Sequence, residues 1–578
     1  MRQKLPTTKP EFADLRANGY RYVDKTAIIH RLVTDDSTAF FLSRPRRFGK
    51  SLLCSTLRSL FEGRRELFGA IAGQPATAID SLEWDWEPRP VIHIDFGTVA
   101  KAATAMLEWE AILDRDLEAA ANQHGLSLTG VTMADKFVRL ARALHEQCGR
   151  QAVVIIDEYD MPLLSTLDHP KIHDDIRGSL KEVYGAIKAS GAHLRFVLFT
   201  GITKFFRVSV FSGLNQLDDI SFQPAFAAIC GITPKEIEDN FEPEIAAIVK
   251  LKGTTREQYF KDLHDAYNGY RFSCSPLAVY NTFGLLHHLK NDGKFSAYWH
   301  DSATPTFLVK LIKDRKINIL NLTRLTVHER RFGNFIVDNL DAEPLLYQTG
   351  YLTITDYNEK YNEYTLDFPN NEVRRAFADS LLEHYLGSLS ASNSAGERLV
   401  HALRTGDIKG TMDALTVFLA GIPYDIVTNT ESYYRTVMHL IFTVLGVSCR
   451  SELRIAAGRI DSLVETDDYV YCFEFKLDKS AESALRQIDT KEYLLPWTGT
   501  GKTLFKVGVK LSSKKRNIGA WTAVSIPPSD HPHPLRPCET FSSAGTGLSR
   551  ILNTSPFRSA ATISSYIAKI ISRVRYSP

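Results

Sequence analysis

The hydrophobic positions of this chain change rhythm along its length. Through the first part, short, largely apolar runs recur: Ala39-Phe40-Phe41-Leu42, Val91-Ile92-His93-Ile94-Asp95-Phe96, Val153-Val154-Ile155-Ile156-Asp157 and Phe196-Val197-Leu198-Phe199-Thr200. Runs of this kind predict strands, the first of them buried. Between them the apolar positions follow helical spacing. After Ser51, the residues Leu53, Leu57, Leu60 and Phe61 fall on one face, and further helices are predicted near 105–122, 132–147 and 173–190. Strands alternating with helices predict a parallel sheet wound with helices.

From about 230 to 420 the pattern is mostly helical, punctuated by Gly and aromatic residues, as in Tyr267-Asn268-Gly269-Tyr270 and Tyr347-Gln348-Thr349-Gly350-Tyr351. Over 430–525 it returns to α/β, and from Pro527 it becomes rich in Ser, Pro and Thr without sustained period. Four stretches are therefore expected. They are an α/β domain over 1–230, a mostly helical lid or connector over 231–425, a second α/β domain over 426–526, and a disordered tail over 527–578 with a short amphipathic helix near 561–575.

Composition narrows the chemistry. Lys plus Arg number 69 against 67 Asp plus Glu, so a general polyanion binder is excluded and any nucleic-acid contact must be local. The seven cysteines form no C-x-x-C pair, which argues for reduced thiols in an intracellular protein, cytoplasmic or, in a eukaryote, nuclear. The N-terminus lacks a signal-peptide core, and no apolar run approaches the ~20 residues of a membrane helix, so no membrane partner is expected.

One candidate site lies where the first strand runs into Arg44-Pro45-Arg46-Arg47-Phe48-Gly49-Lys50-Ser51 and then a helix. Strand, loop and helix in that order are what a phosphate-binding loop requires. Arg47, Phe48 and Gly49 form the loop, Lys50 is placed to reach the β- and γ-phosphates, and Ser51 to ligate Mg²⁺. Arg44 stands where the full pattern has its first Gly. The third strand ends in Asp157-Glu158, with Asp157 suited to hold Mg²⁺ through water and Glu158 to orient or deprotonate an attacking water. The fourth strand ends at Thr200, and Thr200 or Thr203 supplies the polar residue expected near the γ-phosphate. Arg207 is a candidate charge-stabilising finger.

The segments Arg44–Ser51, Tyr20-Arg21-Tyr22-Val23-Asp24-Lys25-Thr26, Ile156-Asp157-Glu158-Tyr159-Asp160 and Phe211-Ser212-Gly213-Leu214-Asn215 together resemble the AAA-ATPase-like family of P-loop proteins. The resemblance spans about residues 5–230. It implies a P-loop ATPase core using ATP and Mg²⁺, and it makes Arg44 in place of the first Gly part of the family's own pattern.

The second candidate site is Asp461 with Glu474-Phe475-Lys476. Two β-like runs, Ile460–Thr466 and Tyr469–Leu477, flank Asp467-Asp468. If those two residues form the turn, Asp461 lies opposite Glu474, with Cβ atoms ~4.5–5.5 Å apart. Such a pair can share one divalent metal. Glu474 and Lys476 point to the same face and Phe475 to the other. Metal-assisted phosphodiester hydrolysis suits this set, with Lys476 positioning water or stabilising charge. A following helix carries Gln487 and Tyr493, and an upstream helix offers Glu431. The arrangement is similar to the PD-(D/E)XK nuclease superfamily over about 430–525. That resemblance implies catalytic roles for Asp461, Glu474, Lys476 and Gln487, with Asp461 and Glu474 as metal ligands and a restriction-endonuclease-like α/β fold.

Both sites in one chain lead to the expectation of an ATPase coupled to a Mg²⁺-dependent nuclease acting on DNA, with a homo-oligomer as a further expected partner. The rival expectation is a nucleotide-switch signalling or scaffold protein whose nuclease-like domain binds without cutting.

Overall fold

A computed structural model describes residues 3–7, 11–97, 105–166, 169–204, 217–299, 325–329, 342–386, 393–422, 427, 429–445, 447–528 and 540–542. Its first sheet contains β1 (Ala39–Ser43), β2 (Val91–Asp95), β3 (Ala152–Asp157), β4 (Leu194–Gly201) and β5 (Leu217–Asp219), in the order β2-β3-β4-β1-β5. All pairs are parallel. Every residue of β1 and β3 is buried, which is why these strands read as continuous apolar runs rather than as alternation. The predicted helices are present as Lys50–Phe61, Ala105–Gln123, Met133–Cys148 and Pro170–Ala189. Met133–Cys148 shows how local sequence sets such boundaries. Thr132 accepts the Asp135 N–H at its start, Gly149 ends it with φ 64°, and Phe137, Leu140, Ala141 and Leu144 are buried along one side.

The chain divides into two compact units, Met1–Leu381 and Leu382–Pro578. The expected connector of 231–425 is therefore not one piece. Its first part folds with the parallel sheet. Helix Pro234–Lys252 begins with a Thr233–Glu236 capping box and kinks at Phe241, two residues before Pro243. Ile237, Phe241 and Ile245 pack with Leu263 and Leu285 from the helices Arg256–Tyr267 and Thr282–Lys290. This region also holds a small antiparallel sheet that the helical reading missed. It comprises β6 (Leu325–His328), β7 (Thr353–Asn358) and β8 (Glu363–Asp367), in the order β6-β8-β7. The alternation of polar and apolar residues in Glu363-Tyr364-Thr365-Leu366-Asp367 was its signal, and the burial alternates with it.

The second unit takes the remaining connector helices, Asn393–Thr405 and Ile408–Ala420, together with Glu431–Val444. Its sheet contains β9 (Ser448–Ile455), β10 (Gly458–Glu465), β11 (Tyr469–Leu477), β12 (Thr503–Ser512), β13 (Asn517–Ile526) and β14 (Thr540–Ser542), in the order β14-β13-β12-β11-β10-β9. Only β11 and β12 run parallel, and helix Ala481–Thr490 makes the crossover that such a pair needs. The reading of 527–578 as a disordered tail needs correction at β14, which pairs with β13 through Thr522, Ala523 and Val524. The helix expected near 561–575 lies outside the described residues. No helix among the described residues is long and apolar enough to cross a membrane.

The crossover helix rests directly on β12. A Cβ added at Gly508 would meet the Ala481 carbonyl oxygen, and would lie 2.8 Å from the Leu485 nitrogen. Gly508→Ala is therefore expected to destabilise the C-terminal unit by about 1–3 kcal/mol. The urea midpoint of that unit's unfolding transition reads the effect, and an unchanged midpoint would show that the helix lifts freely off the sheet.

Candidate functional site

The phosphate loop leaves β1 at Arg44, and this residue is buried. Its Nη1 donates to the carbonyls of Ser43 and Ser221, both at 2.9 Å, and its Nη2 to that of Phe226 at 3.1 Å. The guanidinium lies 4.2 Å from the Phe272 ring centroid. Burial lowers its pKa from the usual guanidinium value. Arg44 therefore fixes the start of the loop from behind, where a flexible Gly stands in the general pattern. Phe48 is also buried, edge-on to Tyr270 and Phe272. Arg47 and Gly49 adopt left-handed backbone with φ 66° and 97°, which turns the chain into helix Lys50–Phe61. The first N–H groups of that helix have no intrahelical acceptor and face the loop.

Lys50 is buried, and its ammonium donates to the carbonyls of Arg44 at 3.2 Å and Pro45 at 3.3 Å. Ser51 is half-buried in the first helical turn. Arg46 Nη2 reaches Met161 Sδ, while Arg47 is exposed with its guanidinium over Phe283.

Strand order brings the acidic residues to the same edge. β4 separates β1 from β3, and Leu42 pairs with Thr200 while Asp95 pairs with Asp157. These residues lie at the C-terminal strand ends, the side on which parallel α/β sheets bind ligands. Thr200 donates its hydroxyl to Asp157 Oδ1, which also accepts the Glu158 N–H at 3.1 Å. Glu158 sits at φ 53°, a left-handed conformation uncommon away from Gly. Burial raises its pKa, Lys50 and Arg46 pull it down, and Asp157 and Asp160 push it up. These five charged groups therefore share one electrostatic neighbourhood.

Thr203 serves a different role from the one expected of a phosphate-facing residue. Its N–H and hydroxyl both donate to Asp160 Oδ2 at 2.7 Å, and Ile202 N–H joins them. Asp160 thereby ties the turn after β3 to the end of β4. Burial raises its pKa as well. Arg207 and Phe211–Asn215 lie outside the described residues.

In the second unit the hairpin has the register read from sequence. Ser462 pairs with Phe473 and Glu465 with Val470, and Thr466 N–H donates to the Tyr469 carbonyl across the turn. Continuing outward sets Asp461 against Glu474. Both are buried. Asp461 Oδ2 accepts the Phe475 N–H at 3.0 Å, and Lys476 Nζ lies 2.8 Å from Glu474 Oε1. Glu474 Oε2 is buried with no hydrogen-bond partner. Desolvation, followed by the Asp461 charge, pushes the Glu474 pKa up to about 7. Such an oxygen aimed beside a second carboxylate fits a divalent cation. No group of three or more His, Cys, Asp or Glu side chains among the described residues is placed to hold a metal. A cation at Asp461 and Glu474 would complete its shell with backbone oxygen, water or substrate, as Mg²⁺ commonly does.

Comparison with known proteins decides the affiliation. Residues 6–211 match the family described as Predicted AAA-ATPase, and residues 429–521 match the PD-(D/E)XK nuclease superfamily. A protein of Azotobacter chroococcum mcd 1, named "Uncharacterized protein in vnfD 5'region", is 35% identical over 536 residues, spanning 91% of this chain and 99% of the relative. The chain belongs to the AAA-ATPase-like family. Its C-terminal domain is of the PD-(D/E)XK nuclease superfamily, in the order read from the sequence.

Within this AAA-ATPase-like chain, the structure gathers Lys50, Asp157, Glu158 and Thr200 at one edge of the parallel sheet. It gathers Asp461, Glu474 and Lys476 on the hairpin. Gln487 bonds elsewhere: its Nε2 donates to Tyr493 Oη at 3.3 Å, and Tyr493 lies beyond the end of its helix. Glu431 accepts the Leu477 N–H at 3.0 Å and so secures the end of β11.

Two residues escaped the sequence reading. Asp95 ends β2 beside Asp157, and a Cβ at Gly97 would lie 3.0 Å from Asp95 Oδ1 and 3.3 Å from Glu158 Oε2. Its signal was a carboxylate closing an apolar run. Arg435 forms an ion pair with Asp461 at 2.8 Å. Its signal was a cation four residues after Glu431 on a largely apolar helix.

The raised pKa of Glu474 has a consequence for stability. The folded protein holds this proton more tightly than the unfolded chain, whose Glu titrates near 4.5. Its contribution is fully present below the unfolded pKa and is lost as pH rises through about 7. In metal-free buffer, the C-terminal unit is expected to lose stability across that window, and Glu474→Gln is expected to flatten the slope. Denaturant unfolding at stepped pH checks this, and an unchanged slope in the variant would refute it.

Proposed function

We propose that this chain binds and hydrolyses ATP and uses its nucleotide state to license Mg²⁺-dependent cleavage of DNA by its C-terminal domain. The observation that carries the reading is the buried, unpartnered Glu474 Oε2 beside Asp461 and Lys476 on one hairpin face. An acceptor left this way inside a fold needs a cation or a proton.

In the N-terminal domain, Lys50 and the loop amides would hold the phosphates, with Ser51 and Asp157 as Mg²⁺ ligands. Thr200 fixes the Asp157 carboxylate, and Glu158 is placed as the base or water-orienting group. Its raised pKa brings it nearer the range where a carboxylate accepts a proton effectively. In the C-terminal domain, Asp461 and Glu474 would hold a divalent cation, whose contribution is to polarise a phosphodiester and activate water. Lys476, kept beside Glu474, would meet developing negative charge. The exposed turn Lys514-Lys515-Arg516 between β12 and β13 offers a local basic contact for a polyanion.

A second reading, a nucleotide switch with a binding-only nuclease fold, is favoured by one observation. Arg435 already neutralises Asp461. The two readings separate in one assay of the full chain with ATP, Mg²⁺ and DNA. Lys50→Ala is expected to lower ATP turnover by about a hundredfold. Glu474→Ala is expected to lower cleavage by about a hundredfold while ATP turnover persists. ATP turnover without cleavage in the wild type would defeat the nuclease reading in favour of the switch.

A further inference from the structure

One helix face meets the hairpin with three polar side chains in succession. Glu431, Arg435 and His439 are four residues apart on helix Glu431–Val444 and so share a side. Glu431 bonds Leu477 N–H, and His439 Nδ1 lies 2.9 Å from Ser451 Oγ. Arg435 does more than either. Its Nη1 lies 2.8 Å from Asp461 Oδ1 and also 2.8 Å from Glu452 Oε1. Arg459 holds the other Glu452 oxygen at 2.6 Å.

The backbone around this pair is distorted. Glu452 has φ 54°, a left-handed conformation that residues other than Gly rarely take. The β9–β10 register runs from Ile460↔Leu453 to Ser462↔Ser451 and passes over Asp461 and Glu452. Arg435 Nε is buried without a hydrogen-bond partner, and the guanidinium is held through Nη1 by its two carboxylates.

Both oxygens of Asp461 are therefore engaged. One oxygen takes Arg435 and the other takes the Phe475 N–H. A divalent cation ligated by Oδ1 at about 2.1 Å would stand within about 5 Å of Nη1. Like charges that close oppose each other strongly in a half-buried site. The guanidinium and a metal ion then compete for one carboxylate, while Glu452 offers the guanidinium another.

We propose that Arg435 is an exchangeable internal cation. It bridges Asp461 and Glu452 when no metal is bound and keeps Glu452 alone when a divalent cation takes Asp461. Arg435 is thus a positioning residue acting through Asp461, and Glu452 is its alternative seat. The inference rests on the reading of Asp461 and Glu474 as metal ligands.

Calorimetric titration of the full chain with Mn²⁺, without nucleotide or DNA, tests it. Asp461→Asn defines the signal that belongs to this site. Arg435→Met is expected to bind Mn²⁺ about tenfold more tightly than wild type. Arg435→Gln keeps a polar side chain and is expected to do the same should the Met variant fold poorly. Glu452→Gln removes the alternative seat and is expected to bind about tenfold more weakly. In the double variant Glu452→Gln with Arg435→Met, the Glu452 effect should vanish, because nothing is left to be seated there. A Glu452 effect that persists without Arg435 would reduce both residues to a general electrostatic field and overturn the exchange. Equal or weaker binding by the Arg435 variants, with wild type binding normally, would also overturn it and leave the metal reading standing. Absence of Asp461-dependent binding in every form would overturn the metal reading, and the exchange with it.

Discussion

A guanidinium buried behind the phosphate loop is the interaction on which the N-terminal unit depends. Arg44 gives its two terminal nitrogens to the carbonyls of Ser43, Ser221 and Phe226, keeps its Nε buried without a partner, and stacks on Phe272. Burying a charge this way is costly unless its donors are met, so the segments around Ser221 and Phe226 are held to the loop as firmly as the loop is held to them. The usual device at such a loop is a Gly that lets the backbone bend freely. Here the loop's path is set by side chains instead. The remainder of the 231–381 region adds to the grip. Trp299 Nε1 donates to the Arg46 carbonyl, and Gly350 sits against Pro45, where a Cβ would lie 2.8 Å from the Pro45 Cβ. A phosphate loop gripped along its outer side transmits any change in its shape to the residues gripping it.

The C-terminal site depends on a different balance. Its two carboxylates are close in space but unequal in surroundings. Asp461 is satisfied by Arg435 and an amide, whereas Glu474 has Lys476 on one oxygen and nothing on the other. Burial and the neighbouring Asp461 charge raise the Glu474 pKa. The helix Glu431–Val444 contributes to the difference, because its Arg435 bonds Asp461 directly and reaches Glu474 only through its charge.

Much of this was legible in the sequence because burial on both faces leaves a plain signature. The four short, largely apolar runs became β1 to β4 within a few residues of their expected ends. The hairpin register followed from a two-residue turn and simple counting, since strand pairing fixes every opposed residue once the turn is known. What stayed hidden depends on contacts far apart in the chain. Arg44 reads as a basic loop residue until Ser221 and Phe226 are brought behind it. Arg435 reads as an exposed helical charge until β9 and β10 fold beneath it. The β7–β8 hairpin was obscured because only a few residues of each strand alternate, and helices lie on both sides in sequence. The strand Thr540–Ser542 gains its order from pairing with β13, which no local pattern announces.

Lys50 folds its ammonium back onto the carbonyls of Arg44 and Pro45. The loop's own carbonyls thus solvate the buried ammonium. Any phosphate that enters must outcompete two hydrogen bonds already in place, which favours occupants with enough negative charge to displace them.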